Sequence, residues 1–451
     1  MSVPLVHAQG SSTINVALVG CGGRGTGAAE NALRVRNQPV KLVAMADVFE
    51  HRLKGSLNSL DRKFNKQNLE VPADHQFIGF DGYKKAVVCF KPGDVAVSCT
   101  PPAFRWLHFS YAIEKGVHVF MEKPVTVDAP TSRRMLELGK KASAKNLKVG
   151  VGLMSRHQRA LQEAKKRLDD GEIGDIINMR GYRMAGGNLA SFRSHKWPGL
   201  GKDKNFQPTE LLWQISRFHS FLWASGGCFN DYYIHIVDHL CWMKGKWPVK
   251  AQAVGGRHWR NDYIDQNFDS YGVEYTFDDG TKFFFDGRCM DGAEGIYSSH
   301  VHGSKGSAVI SAGGDCGLPS STYTTQQPSN DHKLWESKVG VHERNPYDNE
   351  WNDLIDAIRN DKPYNEVEYG VMASATCSLG RVAAHTGREW TMDRFLKMDH
   401  EYSPDIANWT LESAPPVKCD ENGRYPVPQP GTVTDREWAS QLACRAESWV
   451  L

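Results

Sequence analysis

Residues 14–47 constrain this chain more than any other stretch. Ile14–Val19 (INVALV) is a short β-branched apolar run that stops abruptly at Gly20-Cys21-Gly22-Gly23-Arg24-Gly25. Helical spacing of apolar residues follows over 28–35, and a second apolar run, 40–46, ends on Asp47. Strand, glycine turn, helix, strand predicts a βαβ unit, whose two strands run parallel. The alternation continues, with strands predicted at 93–100, 117–121 and 149–153 and helices at 106–115 and 131–144. That rhythm predicts a mostly parallel sheet with helices on both faces.

In this setting Gly20, Gly22 and Gly25 form a G-x-G-x-x-G turn between a strand and a helix, with Asp47 about twenty residues further on. Such glycines let the backbone approach a pyrophosphate at a helix N-terminus, where free N–H groups and the helix dipole favour negative charge. Gly23 and Arg24 lie within the same turn. Asp47 is suited to accept hydrogen bonds from a ribose diol and to repel a 2′-phosphate, which predicts NAD. Arg24 and Arg52 soften that preference and admit NADP.

Past residue 150 the rhythm changes. Residues 176–184 alternate as a strand with one wet face, and about forty irregular residues follow at 186–227, carrying Trp197, Trp213 and Trp223. Runs at 249–255, 269–277, 281–289 and 306–311 predict an antiparallel sheet, with Asp278-Asp279-Gly280 as a hairpin turn between two of them. Helical periodicity returns at 351–359 and 369–386, and from about Ser403 the chain is Pro-rich. Lys and Arg number 54 against 52 Asp and Glu, a net charge of +2, so no basic surface for nucleic acid or anionic membrane is predicted. No apolar run approaches the eighteen or so residues of a membrane span. Composition therefore predicts a soluble, multi-domain enzyme.

Two further motifs carry chemistry. Glu122-Lys123-Pro124 directly follows the strand at 117–121, at the end where open α/β sheets bind ligands, and an ammonium there can assist a reacting hydroxyl. After the double glycine Gly226-Gly227, Asp231, His235 and Asp238 fall on one helical face at i, i+4 and i+7. A carboxylate one turn from an imidazole makes His235 a candidate general base. The same segment also fits a metal site of Asp231, His235 and His239, or a satisfied polar cluster at a domain interface.

The dinucleotide turn, the Glu122-Lys123-Pro124 motif and Asp231-x-x-x-His235 together resemble the Gfo/Idh/MocA family, that of glucose–fructose oxidoreductase and inositol dehydrogenase. The resemblance runs from Ile14 to about Phe395 and includes 349–358. It implies an α/β Rossmann domain (14–150) and an α+β domain (151–400) with an open, mostly antiparallel sheet. A Pro-rich tail (401–451) is expected to pack on the surface. Family members often pair through the sheet, so a homodimer or homotetramer is expected. Lys123, Asp231 and His235 would be the catalytic trio, with Thr100, Pro101 and Glu122 lining the nicotinamide side. Arg156, Trp213 and Tyr233 are expected on the substrate side, the aromatic rings stacking on a sugar; no metal is expected. The chain departs from the family in carrying Ala103 and Arg105 where histidines are usual, and Tyr233 where glycine is usual. The expected reaction is hydride transfer between NAD(P) and a secondary alcohol of a sugar, glycoside or polyol. The alternative is glycoside cleavage through transient oxidation on a retained cofactor.

The ten cysteines form no C-x-x-C pair and read mostly as buried apolar residues, although Cys419 and Cys444 would suit one disulfide in an exported protein. Val6-His7-Ala8 resembles the end of a signal peptide without its basic and apolar parts. An exported, periplasmic location is expected if those residues are a remnant, and a cytoplasmic one otherwise.

Overall fold

The computed structural model of the protein describes residues 13–36, 39–187, 208–258 and 264–431. Ile14–Val19 (β1) and Val40–Asp47 (β2) are buried along nearly their whole length, as strands covered on both faces must be. With Gln76–Ile78 (β3), Val95–Ser98 (β4), His118–Met121 (β5) and Val149–Val151 (β6) they form a six-stranded sheet in the order β3-β2-β1-β4-β5-β6. Every pair in it is parallel. Helices Gly23–Leu33 (α1), Glu50–Phe64 (α2), Gly82–Val88 (α3), Arg105–Lys115 (α4) and Ala129–Ala144 (α5) make the crossovers. Strand order reverses between β1 and β4, which opens a crevice at the carboxyl ends of those strands. Main-chain bonds hold its floor together: the Gly20 amide donates to the Ala46 carbonyl (2.8 Å) and the Cys99 amide to the Val19 carbonyl (2.7 Å).

Helix Arg159–Asp169 (α6) and strand Ile176–Ala185 (β7) open the second half. Short helices Glu210–Ser216 (α7) and Leu222–Ser225 (α8) lead into the long helix Gly227–Lys244 (α9). Then come Lys250–Gly256 (β8), Ser270–Thr276 (β9), Lys282–Cys289 (β10), Ile296–Gly303 (β11), Ser307–Ser311 (β12), Ser321–Tyr323 (β13) and Lys333–Glu336 (β14). Helices Pro346–Arg359 (α10) and Val367–Thr386 (α11) precede the last strand, Trp390–Thr391 (β15). The nine strands of this half order as β14-β13-β12-β11-β7-β10-β9-β8-β15, antiparallel except for the β7–β10 pair. The Asp278-Asp279-Gly280 turn joins β9 to β10, with Gly280 at a φ of 84°. Strand β11 escapes pattern reading because its Ser- and His-rich sequence lacks apolar alternation.

One face of the second sheet is covered by α9 and α11, both buried almost all round. Glycines on the sheet make room for α9: a Cβ at Gly181 would meet Ile236 at 2.4 Å, and one at Gly287 would meet the Tyr233 ring at 2.5 Å. Helix α10 packs the other way, its Trp351, Leu354, Ile355 and Ile358 joining Ile14 and Leu18 of β1 in one apolar cluster.

The described part of the expected irregular segment, 208–227, is ordered into α7 and α8, with the Thr209 hydroxyl accepting from the Leu212 amide (3.4 Å). Trp197 and Cys444 lie outside the described residues. The tail of 402–426 is irregular but anchored: the Tyr425 hydroxyl donates to Glu210 (2.8 Å) and Gln214 to the Val417 carbonyl (2.7 Å). Among the described residues no helix is long and apolar enough to cross a membrane.

Candidate active site

A cavity of about 1070 Å³ runs along the crevice between the two halves and is bounded by the glycine turn at one end and by α9 at the other. Gly20 has a φ of +94°, and a Cβ there would lie 2.6 Å from the Thr100 amide nitrogen, so no larger residue fits. Gly25 seats α1 on the sheet, since its Cβ would collide with the Gly20 carbonyl at 1.9 Å. Gly22 and Gly23 are different. A Cβ at either would meet nothing within 4 Å, and among the described residues no side chain caps the start of α1. The first amides of the helix therefore face open space in the cavity, an arrangement that suits a pyrophosphate.

Asp47 ends β2 beside this turn, its carboxylate accepting from the Cys21 amide (2.6 Å) and the Phe49 amide (2.8 Å). Burial pushes its pKa up against those two bonds. Both arginines suited to a 2′-phosphate already have partners. Arg24 pairs with Glu122 (3.1 Å) and donates to Asn31 (2.9 Å), while Arg52 donates to the Ser216 carbonyl (3.1 Å) and lies over the Phe49 ring. Thr100, Pro101, Glu122 and Lys123 continue the wall toward α9.

At the far end the Lys123 ammonium donates to the Asp231 carbonyl (2.6 Å) and stands 3.8 Å from its carboxylate. The other carboxylate oxygen of Asp231 lies 2.7 Å from His219 Nδ1. Burial would raise the Asp231 pKa, but Lys123, His219 and Arg183 outweigh it and hold it well below the usual range. His235 lies on the same wall, 5% exposed, and its Nδ1 has no hydrogen-bond partner among the described residues. Burial pushes its pKa down to about 3; the Asp315 charge opposes this, while Lys123 and Arg183 reinforce it.

The cavity brings together Lys123, Asp231 and His235, but not in the expected relation. Asp231 does not orient His235, because Lys123 and His219 already hold its carboxylate. Asp238 turns away to a two-pronged pair with Arg156 (3.0 and 2.8 Å), and His239 turns to Ser299 (2.8 Å), which separates the three residues of the alternative metal set.

Arg156, Trp213 and Tyr233, expected on the substrate side, pack elsewhere. Arg156 is locked to Asp238 over the Tyr369 ring. Trp213 is 2% exposed, stacked on Tyr425 at 5.9 Å, and Tyr233 is fully buried among Phe229, Tyr271 and Phe285. None of the three borders the cavity. Arg105, at a position of departure, is also structural: it donates to the carbonyls of Ser98 (2.7 Å) and Thr100 (2.8 Å) and so braces the end of β4.

Residues that pattern reading missed complete the site: Arg183, His219, Tyr232, Asp315 and Tyr347. Arg183 lies between the rings of Tyr232 (5.3 Å) and Tyr297 (4.8 Å), 3.7 Å from Asp315. One signal for it was present. In β7, Met179 and Gly181 point to the core, so Arg183 is a charge at the next inward position of an alternating strand. Asp315 stands in the glycine-rich turn Gly313-Gly314-Asp315-Cys316-Gly317, another readable sign. His219 had none.

Residues 14–153 match the profile of an oxidoreductase family with an NAD-binding Rossmann fold. Over 180 residues the chain is 29% identical to scyllo-inositol 2-dehydrogenase (NAD(+)) of Bacillus subtilis, a stretch that is 39% of this chain and 42% of that protein. Over 248 residues it is 26% identical to D-glucoside 3-dehydrogenase of Escherichia coli, covering 54% of this chain and 58% of that one. The matched part is thus less than two thirds of either relative. A crystal structure of scyllo-inositol dehydrogenase from Lactobacillus casei with bound NAD(H) and scyllo-inositol shares the fold, with a TM-score of 0.59 at 19% identity over 84% of this chain and 99% of that one.

Proposed function

We propose that this chain, whose residues 14–153 belong to the Gfo/Idh/MocA oxidoreductase family, is an NAD-dependent oxidoreductase acting on a secondary alcohol of a sugar, glycoside or polyol. The observation that carries this reading is the single cavity that joins the uncapped start of α1 to Lys123, Asp231 and His235. In the proposed arrangement the α1 amides hold the pyrophosphate, Asp47 accepts from a ribose diol, and residues 14–150 act as the cofactor half. Residues 151–400 supply the substrate side.

When bound, the nicotinamide supplies the hydride acceptor, and the residues around it handle orientation and protons. The Lys123 ammonium hydrogen-bonds the reacting hydroxyl and favours its deprotonated form, while the Asp231 charge balances the ammonium. His235, kept neutral by burial, stands beside them on the same wall, its Nδ1 unpartnered among the described residues. Assembly as a homodimer or homotetramer through the second sheet is part of the proposal. Its support is the outer face, where Ile177, Val254 and Phe284 stand 57%, 76% and 38% exposed.

A second reading, glycoside cleavage on a retained cofactor, draws on residues 215–219. They border the cofactor groove and are latched to it by the Arg52–Ser216 bond. One experiment separates the two. Protein, NAD and a panel of polyols and glycosides are mixed, and reduced-nicotinamide absorbance is followed beside product analysis. Reduced cofactor accumulating with an oxidised sugar is the expected result. Cleaved glycoside without reduced cofactor selects the second reading, and no reaction of either kind across the panel overturns both.

A further inference from the structure

His219 belongs to the turn Phe218–Ser220 between α7 and α8, and that turn is built to hold it in place. The Asn267 side chain, itself fully buried, donates to the His219 carbonyl (3.0 Å), and the Gln266 amide donates to the Ser220 carbonyl (3.0 Å). The imidazole lies 3.8 Å from the Phe218 ring and stacks on Tyr232 at 5.6 Å with 28° between planes. Its Nδ1 is 2.7 Å from the Asp231 carboxylate, and its side chain keeps 23% of its surface exposed on the wall of the cavity. With Nδ1 at ion-pair distance from a carboxylate, Nε2 is the ring nitrogen left for a substrate. A carboxylate-backed imidazole at a reaction cavity is the arrangement that accepts a hydroxyl proton and stabilises the resulting imidazolium.

His235 offers the opposite environment. It is nearly enclosed, has no carboxylate within ion-pair distance among the described residues, and faces Lys123 and Arg183 as well as Asp315. A positive charge formed there would be opposed by burial and by two cations. We propose that His219, paired with Asp231, is a further catalytic acid/base of this site, taking the hydroxyl proton. This rests on the dehydrogenase reading above. In the oxidation direction the substrate O–H bond breaks and an Nε2–H bond forms on His219, as the carbon gives up its hydride to nicotinamide. The imidazolium charge is balanced by Asp231. In reduction the same proton returns to the carbonyl oxygen.

The test uses the holoprotein and a sugar that the wild type oxidises, with nicotinamide reduction followed in single turnover. Two variants are compared, His219→Ala and His219→Asn. The asparagine amide can occupy the Nδ1 position and keep the contact with Asp231 while removing the titratable nitrogen. Both should retain NAD and bind sugar within a few-fold of wild type, and both should lose roughly a hundredfold or more in reduction rate. Added imidazole should restore much of the rate in His219→Ala, because the ring site is partly open to solvent. Either variant reducing nicotinamide as fast as wild type overturns the assignment, and so does a slow His219→Ala that imidazole leaves unchanged. A wild type that reduces no cofactor with any sugar counts against the dehydrogenase reading itself.

Discussion

At the level of single residues, helical spacing placed Asp231 and His235 on one face but did not give their partners. Asp231 and His235 are one turn apart on α9 and both reach the cavity, as i, i+4 positions should. Which group each one touches depends on loops far off in sequence: Lys123 from the end of β5 and His219 from the turn before α8. Tyr233 shows the same limit. An aromatic residue between two site residues reads as a stacking platform, yet two positions of helical rotation, about 200°, turn its ring into the core, against Gly287. Asp47 stands where spacing placed it, at the end of β2 beside the glycine turn. Exchanging it for asparagine sets an amide N–H₂ against the Cys21 or Phe49 amide and removes the charge that a ribose diol would meet. The expected outcome is an NAD dissociation constant about 10- to 100-fold higher, with a smaller change for NADP, measured by calorimetric titration.

Among elements, strands whose two faces are both covered declared themselves through continuous apolar runs, and β11 did not, because Ser299 and Gly303 occupy two of its three buried positions and erase the apolar alternation. The turn after β6 is tied to α10 and α11 by a buried imidazole that no periodicity predicts. His157 lies 2.8 Å from Asp353 on α10 and 3.1 Å from Glu366 at the start of α11. Burial alone would lower its pKa, but Glu366 and Asp353 win and raise it to about 10 from an ordinary 6.5. A raised folded-state pKa means that the protonated ring stabilises the fold fully below 6.5, and that this contribution fades as pH climbs through about 10. His157→Gln should therefore lower the melting temperature most at pH 6, and the gap to wild type should close toward pH 10. Thermal melts monitored by circular dichroism across that range check both the size and the direction.

At the scale of the whole molecule, the chain crosses back on itself. Helix α10 lies late in the sequence yet completes the core of the first sheet, where Trp351 stacks on Phe120 of β5 at 4.6 Å and is fully buried. The two halves are thus coupled through the floor of the crevice. Trp351→Ala would leave a cavity there that rigid strands cannot fill, at a cost of about 3–5 kcal/mol. The midpoint of chemical denaturation should fall accordingly; a variant as stable as wild type would show that α10 is not needed to close the first core.

The sequence by itself determined the first half almost completely: strand, glycine turn, helix and acidic strand end are local patterns, set by backbone conformation and by burial on both faces of a parallel sheet. It also determined which polar residues of α9 share a face. Only the tertiary structure decided their chemistry. Asp231 is a strongly ionised carboxylate because a lysine and a histidine from two other segments converge on it, and His235 is a neutral ring because packing removes its water. Arg156, Trp213 and Tyr233 became structural for the same reason: charge pairing and ring packing act across space, and spacing along a chain records neither.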